Sequence, residues 1–305
     1  MSKTMSVLAA LTLPFCGYAQ PSQLEAARLT AGTTWQPAYN FFCVAPKANS
    51  ADDPPIQPTK IFDNLYAIGD SGTTAYALAT PDGIILLDSL PANQTETVLV
   101  PGMKALGLDP ANVKYVVVTH GHGDHSGGSF YFQERYGAHV VLSAADWDLL
   151  QPQNGKGKAS ANAPRRDIVA TEDQPVTLGD VKIAMVMTPG HTPGSMGLIF
   201  PVKDGASTHM AAMFGGTILL PQRPDVATLQ TYLKSIEHFR AAAARAQVDV
   251  EIQNHPLMDA MQDRLAAVRS RRTGTPHPYV AGAENYLKFL DVMAGCLRAQ
   301  RADIP

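Results

Sequence analysis

From about residue 60 onward, short apolar runs alternate with turn sequences. The first of these runs are separated by the turn-forming triplets "DSG" and "PDG". Runs of this length, bounded by Gly, Pro and Asp, are typical of consecutive antiparallel hairpins. The core is therefore predicted to begin with a meander of strands, formed by the segments "KIFDNLYAIG", "TTAYALAT" and "GIILLDS".

After this meander the chain changes to an alternation of strands and helices. Apolar residues at helical spacing are interleaved with continuous apolar runs that are typical of buried strands. The predicted helices are "TETVLVPGMKALG", "GGSFYFQERYG", "DVATLQTYLKSIEHFRAAAARA" and the stretches around 257–272 and 280–302, and the predicted strands are "VKYVVVTH", "AHVVLS", "QPVTLGDVKIAMVMT", "SMGLIFPV", "HMAAMFGG" and "VDVEIQN". This order favours an α/β (α+β) architecture in which two sheets pack face to face and carry helices on both outer faces.

Two polar stretches do not follow the pattern of the core. Residues 20–59 are rich in Pro, Ala, Asn and Asp, which predicts an irregular N-terminal arm. Residues 151–167 are polar and rich in Gly and Ala, which predicts a mobile loop. Together with Trp147, this loop either covers a pocket as a lid or simply connects a helix to a strand. We therefore expect a single domain over residues 60–305.

The composition is that of a globular protein. Of the 305 residues, 45% are hydrophobic and 17% are charged, so the chain can bury a core and is not disordered. The net charge is −3, and no stretch clusters Lys and Arg with interleaved aromatic residues, which argues against a nucleic-acid partner. We expect a monomer whose partner is a small-molecule substrate.

The N-terminus has the order of parts of a secretory signal peptide. Lys3 precedes the apolar stretch "MSVLAALTLPF", and "GYA" then places small residues before Gln20. We expect residues 1–19 to be removed and the mature protein to be periplasmic or secreted. The apolar stretch is too short to anchor the chain, and no other segment has about eighteen continuous apolar residues, so no membrane insertion is expected in the mature form.

Export would leave two cysteines in the mature chain. Cys43 and Cys296 could form a disulfide that ties the N-terminal arm to the last helix, or they could be buried free thiols. The sequence favours neither alternative. Two cysteines so far apart along the chain do not, in any case, form a thiolate metal cluster.

The segment "VVVTHGHGDHSGG" crowds three histidines and an aspartate into the end of a predicted buried strand. Residues two apart on an extended segment point to the same side, so His120 and His122 can share one ion, while Asp124 and His125 turn toward a second. Imidazole and carboxylate groups at this density are ligands that zinc prefers, and without a cation these polar groups would be left unmatched. The motif therefore predicts a metal site.

Two further histidines occupy comparable places. His191 lies in "TPGHTPGS" after the strand "KIAMVM", and His255 lies in "NHPLMD" after the strand "VDVEI". Loops at strand ends gather functional groups on a rigid scaffold, so both are candidate metal ligands rather than structural histidines. The other histidines have no such context and are not assigned to the site: His139, His209, His238 and His277.

These motifs together resemble the metallo-β-lactamase superfamily, and the resemblance covers nearly the whole mature chain from about residue 60. It is carried by "GIILLDS", "THGHGDHSGG", "TPGHTPGS" and "NHPLMD". The resemblance implies an αβ/βα four-layer sandwich of two mixed sheets, with a two-zinc site along the edge between the sheets. It also implies that one zinc is held by His120, His122 and His191, and the other by Asp124, His125 and His255. Asp88 matches an aspartate that supports these ligands, or it simply ends its strand.

Within the superfamily, the chain is most similar to the third subclass of metallo-β-lactamases. Many relatives, such as glyoxalase II and the lactonases, have a bridging aspartate after a later strand, whereas the matching stretch "MFGGTILL" contains no carboxylate. The second metal site of the third subclass consists of an aspartate and two histidines. Well-known members place serines after this strand, where a hydroxyl helps to hold the substrate carboxylate, but this chain has Gly215, Gly216 and Thr217. Thr217 is therefore the candidate substrate-binding residue.

The resemblance implies a secreted two-zinc hydrolase that opens the β-lactam ring of antibiotics by attack of a zinc-bound hydroxide, which would confer antibiotic resistance. Asp124 is the candidate catalytic residue, because it could orient the hydroxide and pass a proton toward the departing nitrogen. One alternative is a metal-dependent hydrolase of lactones or other esters with weak lactamase activity. Another is a protein that binds zinc or a metabolite without turnover. Iron or manganese could replace zinc.

A serine hydrolase is disfavoured on the sequence alone. Ser and Thr do occur near glycine in "GTTAYAL" and "PGSMG". The chain nevertheless has neither a Gly-x-Ser-x-Gly elbow nor a Ser-x-x-Lys pair, which are the arrangements that activate a serine nucleophile. The metal site is therefore the stronger candidate for the source of the nucleophile.

Overall fold

The described part of the chain folds as two β-sheets that pack face to face, with helices on both outer faces. The sandwich architecture that the sequence predicts is therefore confirmed. The computed structural model describes residues 22–45, 53–150, 163–218 and 225–302. The predicted signal peptide at residues 1–19 and most of the predicted loop at residues 151–167 lie outside these ranges.

The first sheet contains seven strands, which lie in the order in which they follow along the chain. They are β1 Thr59–Phe62, β2 Leu65–Gly69, β3 Thr74–Thr80, β4 Gly83–Leu87, β5 Val113–Val117, β6 His139–Ser143 and β7 Ile168–Ala170. Strands β1 to β4 are antiparallel neighbours, as the predicted meander requires, and β4 to β7 are parallel. The sequence does not predict β7, because its three residues are too few to form a recognisable apolar run.

The second sheet contains five strands, in the spatial order β12, β11, β10, β9, β8. They are β8 Val176–Leu178, β9 Val181–Met187, β10 Met196–Asp204, β11 Ser207–Met213 and β12 Val250–Glu251. Only β11 and β12 are parallel neighbours in this sheet. Alternate residues of both sheets point into the space between them, where Leu78 and Leu87 of the first sheet share one apolar core with Leu198 and Phe200 of the second. Burial of these side chains holds the two sheets together.

Helices cover the outer face of each sheet. The α-helices of the described ranges are α1 Gln23–Ala31, α2 Gln36–Tyr39, α3 Val100–Ala105, α4 Gly123–Ser126, α5 Ser129–Tyr136, α6 Ala144–Leu149, α7 Val226–Arg245, α8 Met261–Ser270 and α9 Ala283–Ala302. Phe132 of α5 and Trp147 of α6 are buried on the first sheet, and Phe239 of α7 is buried on the second. Trp147 is therefore a core residue rather than part of a lid. No helix in the described ranges has the length and apolarity that a membrane span requires.

The N-terminal arm is helical where the sequence predicts irregular structure. Within residues 20–59, α1 and α2 are followed by a π-helical turn at Asn40–Val44, so the prediction of an irregular arm is wrong for this stretch. The helices pack on α9 and share its apolar core through Trp35, which is almost completely buried. The hydrophobic pattern does not predict α1, because this helix buries Ala27 and Ala31 rather than large apolar residues.

A disulfide joins the arm to the last helix. Cys43 of the π-helical turn is bonded to Cys296 of α9, with the two Cα atoms 5.0 Å apart. Of the two alternatives that the sequence leaves open, the structure therefore shows the disulfide. The N-terminal arm is held on α9 by a covalent bond as well as by apolar contacts.

Candidate metal centre

Several strand ends meet at one edge of the sandwich. Since β4 and β5 are parallel neighbours, the segments that follow them begin at the same end of the first sheet, and residues 118–125 follow β5. The second sheet contributes the loop 188–195 between β9 and β10. At this edge the backbone N–H of Met196 donates a hydrogen bond to the carbonyl of Thr119 (2.9 Å), which joins the two sheets. The segment after β12 brings His255 to the same place.

The three histidines that are predicted to hold one zinc lie together. Nε2 of His191 is 2.9 Å from Nδ1 of His122 and 3.1 Å from Nε2 of His120. Two nitrogen ligands of a tetrahedral zinc, each about 2.0 Å from the ion, are roughly 3.3 Å apart. The spacing of the three ring nitrogens is close to this value, so they form a group that could hold a single ion. We call these residues the first cluster.

The three residues that are predicted to hold the other zinc also lie together. Nε2 of His125 is 2.9 Å from Nε2 of His255, and Oδ2 of Asp124 is 3.4 Å and 3.7 Å from these two nitrogens. We call these residues the second cluster. The two clusters are adjacent, because a ring nitrogen of His120 lies within 4.8 Å of ligand atoms of both Asp124 and His125.

Asp88 supports the second cluster from the interior of the protein. It is completely buried, and its backbone has a left-handed conformation with φ 58°. Its Oδ2 accepts hydrogen bonds from His125 Nδ1 (2.8 Å), Thr119 Oγ1 (2.9 Å) and Asn254 Nδ2 (2.9 Å). Its Oδ1 accepts one from the backbone N–H of Thr119 (2.7 Å). With this many donors around it, Asp88 does more than end β4.

In both histidines of the second cluster, the ring nitrogen that faces away from the cluster, Nδ1, is held by a hydrogen bond. Nδ1 of His125 donates to Asp88, and Nδ1 of His255 donates to the carbonyl of Gly72 (2.7 Å). When Nδ1 of a neutral imidazole donates, the lone pair of the ring is on Nε2, which in both histidines faces the cluster. The ring orientations therefore suit metal binding through Nε2.

Sequence reasoning does not identify three residues that orient these ligands. Thr119 and Asn254 each directly precede a predicted ligand, His120 and His255, so their positions next to the motifs are a signal that could have found them. Gly72 contributes only its carbonyl, and it lies in a turn far along the chain from the histidine that it contacts. Any residue type could supply this carbonyl, so the sequence gives no signal of the contact.

Burial favours the neutral form of four of the five histidines. It lowers the pKa of His122 and lowers the pKa of His120 well below its usual value. It also lowers the pKa of His191 to about 3 and the pKa of His255 to about 4. His125 differs, because the lowering by burial is outweighed by Asp124 and its other neighbouring carboxylate, which raise the pKa of His125 to about 10. Neutral imidazole is the form that binds a metal, and a cation in the second cluster would replace a proton of His125.

One side of the candidate centre is buried in the protein, and the other side is partly exposed to solvent. Its buried members are His120, His125 and His255, and its partly exposed members are His122, His191 and Asp124. Within the described ranges, the side of the partly exposed members is therefore the side that is open to a substrate. Five imidazoles and one carboxylate, with most of the rings neutral, are a donor set that fits a divalent metal ion such as zinc.

Gly216 and Thr217 follow β11 near the first cluster. Gly216 has φ 74°, and a Cβ at this position would lie 2.7 Å from Cβ of His191, so the position requires glycine. Thr217 is buried, and its hydroxyl has no hydrogen-bond partner among the residues that the structure describes. The role of Thr217 in substrate binding stays a prediction.

Comparisons with known proteins agree with this geometry. The chain matches the family model of the metallo-beta-lactamase superfamily over residues 68–208. It is 33% identical over 98 residues to a hydroxyacylglutathione hydrolase of Acidiphilium cryptum, which covers 32% of this chain and 35% of that protein. It is 32% identical over 108 residues to the N-acyl homoserine lactonase AttM of Rhizobium radiobacter, which covers 33% of this chain and 40% of that protein. The matches thus span less than half the length of these two relatives.

Among solved structures, the chain is similar to BJP-1, a subclass B3 metallo-beta-lactamase of Bradyrhizobium japonicum. The TM-score is 0.69 and the identity 27%, over 82% of this chain and 95% of that chain. The chain therefore has a metallo-hydrolase fold with His/Asp groups that can hold a divalent metal ion. Its resemblance to the metallo-β-lactamase superfamily is confirmed, and a subclass B3 enzyme is among its structural relatives.

Proposed function

We propose that this protein is a dizinc hydrolase that opens the β-lactam ring of antibiotics. The observation that carries the proposal is the convergence of six side chains from distant segments into two adjacent clusters, whose ligand atoms lie 2.9 to 3.7 Å apart. The choice of a β-lactam as substrate is supported by the similarity to BJP-1 over 95% of that chain.

The residues at the open side of the centre would take part in catalysis. When bound, two zinc ions supply a nucleophile at neutral pH by lowering the pKa of water, and they polarise the ring carbonyl. The side chain of Asp124 is 25% exposed, and although burial raises its pKa, His125 outweighs this effect and lowers it. An ionised carboxylate at this place can orient the nucleophile, accept a proton on an oxygen and pass it to the ring nitrogen as the C–N bond breaks.

We further propose that the protein is exported and acts as a monomer in the periplasm or outside the cell. The Cys43–Cys296 disulfide supports export, because disulfides persist in oxidising compartments and are rare in the cytosol. An enzyme in this location would destroy antibiotics before they reach their targets, which would confer resistance on the cell that produces it.

The proposal is tested by assaying the purified chain from residue 20 onward against a penicillin, a cephalosporin, a carbapenem and an N-acyl homoserine lactone. We expect two zinc ions per chain by metal analysis, and ring opening of the lactams that a chelator abolishes and zinc restores. The variant His191→Ala should lose this activity. His139→Ala is the matched control, because His139 is a largely exposed histidine that pairs with Asp167 outside the site.

A second candidate function is the hydrolysis of lactones or other esters at the same centre. It is favoured by the matches to the N-acyl homoserine lactonase and to the hydroxyacylglutathione hydrolase. The same assay decides between the two functions. Fast, chelator-sensitive cleavage of the lactone without any loss of the lactams would overturn the leading proposal, and tight zinc binding without turnover of any substrate would indicate a binding protein.

A further inference from the structure

We propose that Asp146 and Asp70 are positioning residues, each of which fixes the ligands of one metal cluster. Both side chains are buried, and the hydrogen bonds that they accept come from other residues than the six predicted ligands. Each would therefore act on a cluster through the loop that carries its ligands. The inference rests on the proposed metal centre but not on the identity of the substrate.

Asp146 joins two loops that come from different sheets. It lies in the first turn of α6, and its Oδ2 accepts hydrogen bonds from the backbone N–H of Gly121 (2.7 Å) and from Thr192 Oγ1 (2.7 Å). Its Oδ1 accepts one from the backbone N–H of Gly194 (2.9 Å). A single carboxylate thus sets the distance between the loop after β5 and the loop after β9.

The partners of Asp146 are sequence neighbours of the first cluster. Gly121 lies between His120 and His122, and Thr192 directly follows His191. The three ring nitrogens of this cluster are only about 3 Å apart, so a shift of either loop by a few tenths of an ångström changes the geometry offered to an ion. Asp146 is placed to prevent such a shift.

The contact between α6 and the two loops leaves no room for rearrangement. A Cβ at Gly194 would lie 2.0 Å from Ser143 Oγ and 2.7 Å from Asp146 Oδ1, and a Cβ at Gly121 would lie 3.2 Å from the carbonyl of Asp146. Both loops therefore press directly on the first turn of α6.

Asp70 has the corresponding place beside the second cluster. Its Oδ1 accepts hydrogen bonds from the backbone N–H groups of Gly72 (2.9 Å) and Thr73 (2.6 Å), and its Oδ2 accepts one from Gln94 Nε2 (2.8 Å). These bonds fix the turn whose carbonyl, that of Gly72, accepts the hydrogen bond from His255 Nδ1. Partners that orient a ligating imidazole in this way affect metal affinity.

Replacement of the carboxylate by an amide should have different effects at Asp146 and at Asp70. Both oxygens of Asp146 face backbone N–H groups, which can only donate, so an asparagine would point its own N–H at another donor whichever way it is turned. At Asp70 the backbone donors face one oxygen only, and the other faces the side-chain amide of Gln94. That amide can turn over and accept a hydrogen bond from an asparagine. Asp70→Asn should therefore be mild, and Asp146→Asn should not.

The experiment measures the zinc affinity of one cluster at a time. The variant His255→Ala keeps the first cluster complete, and the variant His191→Ala keeps the second cluster complete. Further substitutions are made in each of these two backgrounds, and each protein is titrated with zinc in competition with a chromophoric chelator. In the His255→Ala background, Asp146→Ala and Asp146→Asn should each weaken zinc binding by about 10- to 100-fold, while Asp70→Ala should leave it near the background value. In the His191→Ala background, Asp70→Ala should weaken binding by a similar factor, and Asp70→Asn and Asp146→Ala should have little effect.

Circular dichroism and thermal unfolding of the metal-free variants show whether each has folded. Thr192→Val is the milder variant if Asp146→Ala does not fold, because it keeps the two backbone donors of Asp146 and removes only the Thr192 hydroxyl, which contacts Asp146 and Ser195. It should weaken zinc binding by the first cluster by a few-fold. Equal losses at both clusters, or no loss at either, would overturn the inference, as would a wild-type protein that binds no zinc. A wild type that binds two ions but opens no lactam would overturn only the proposed function.

Discussion

The histidines of the candidate centre make the stability of the metal-free protein depend on pH. The pKa values of His191 and His255 are about 3 and about 4 in the folded chain, whereas an unfolded histidine has a pKa of about 6.5. Below pH 6.5 the unfolded chain takes up protons that the folded chain does not, so acid favours unfolding. His125 acts in the opposite sense, because its raised pKa gives stability that is present below pH 6.5 and is lost as the pH rises toward 10.

We therefore predict that the free energy of unfolding of the metal-free protein falls by a few kcal/mol between pH 6.5 and about 4, since each pKa unit corresponds to about 1.4 kcal/mol. Urea denaturation of chelator-treated protein at several pH values measures this change. The variant His191→Gln removes one of the responsible groups and should flatten the curve over the same range. If the free energy of unfolding changed with pH by the same amount in wild type and variant, His191 would not be one of the groups responsible.

The buried hydroxyl of Thr217 leads to a prediction about substrate affinity. If this hydroxyl holds the substrate carboxylate, Thr217→Val should raise KM for β-lactams by about tenfold or more and change kcat little, because a hydrogen bond to a charged group contributes about 1.5–3 kcal/mol. Steady-state kinetics measure the two constants. Thr217→Ser keeps the hydroxyl and is the control. A KM that is unchanged in Thr217→Val would remove Thr217 from the substrate site.

At the scale of single residues, the sequence predicts the ligands better than it predicts their supports. All six candidate ligands follow predicted strands and have residue types that suit a metal, and the structure brings them together. Thr119 and Asn254 have a weaker signal, since each only directly precedes a predicted ligand. Asp146 and Asp70 have no such signal, and they are recognised only by contacts that the fold makes between distant segments, such as that between Asp146 and Thr192, 46 positions apart.

At the scale of elements, the N-terminal helix shows why a hydrophobic pattern can mislead. The large apolar residues of α1 are exposed, Leu24 by 40% and Leu29 by 61%. The helix instead packs through small residues, and a Cβ at Gly295 of α9 would lie only 3.0 Å from Cβ of Ala27. Small side chains allow two helices to approach closely without an apolar stripe that a sequence pattern would reveal.

The disulfide between these elements gives a prediction about stability. The double variant Cys43→Ser with Cys296→Ser should lose up to about 5 kcal/mol of unfolding free energy, because the bond closes a loop of 253 residues and a closed loop restricts the unfolded chain. Guanidinium denaturation under oxidising conditions measures the loss. A reducing agent should destabilise the wild type by a similar amount and leave the double variant unchanged. A wild type that does not respond to reduction would contradict the role of the bond.

At the scale of the whole molecule, the candidate centre joins the two sheets. His120 and His125 follow a strand of the first sheet, whereas His191 and His255 follow strands of the second. The alternation of strands and helices along the chain is sufficient to predict this architecture. The packing of the N-terminal helices on the outside of the second sheet is not predictable in the same way, because α1 buries small residues and the sequence leaves open whether Cys43 and Cys296 form a disulfide.

Removal of metal should therefore destabilise the whole molecule. A ligand that binds only the folded state stabilises it by about 2.7 kcal/mol when its free concentration is 100 times Kd. We predict that a chelator lowers Tm by several degrees in differential scanning calorimetry and that added zinc restores it. The difference between the Tm with zinc and the Tm with chelator should be smaller in His255→Ala and unchanged in the control His139→Ala. An equal Tm with and without chelator would show that the ions do not hold the sheets together.

The spacing of the ligands along the chain also sets the order of events during biosynthesis. His125 and His255 of the second cluster are 255 − 125 = 130 positions apart along the chain, so a growing polypeptide has no complete second cluster until most of it has been made. If the chain is exported, as proposed above, in unfolded form, it leaves the cytosol without its ions and must acquire them in the compartment that it reaches. The fraction of active enzyme would then follow the zinc supply of that compartment rather than that of the cytosol.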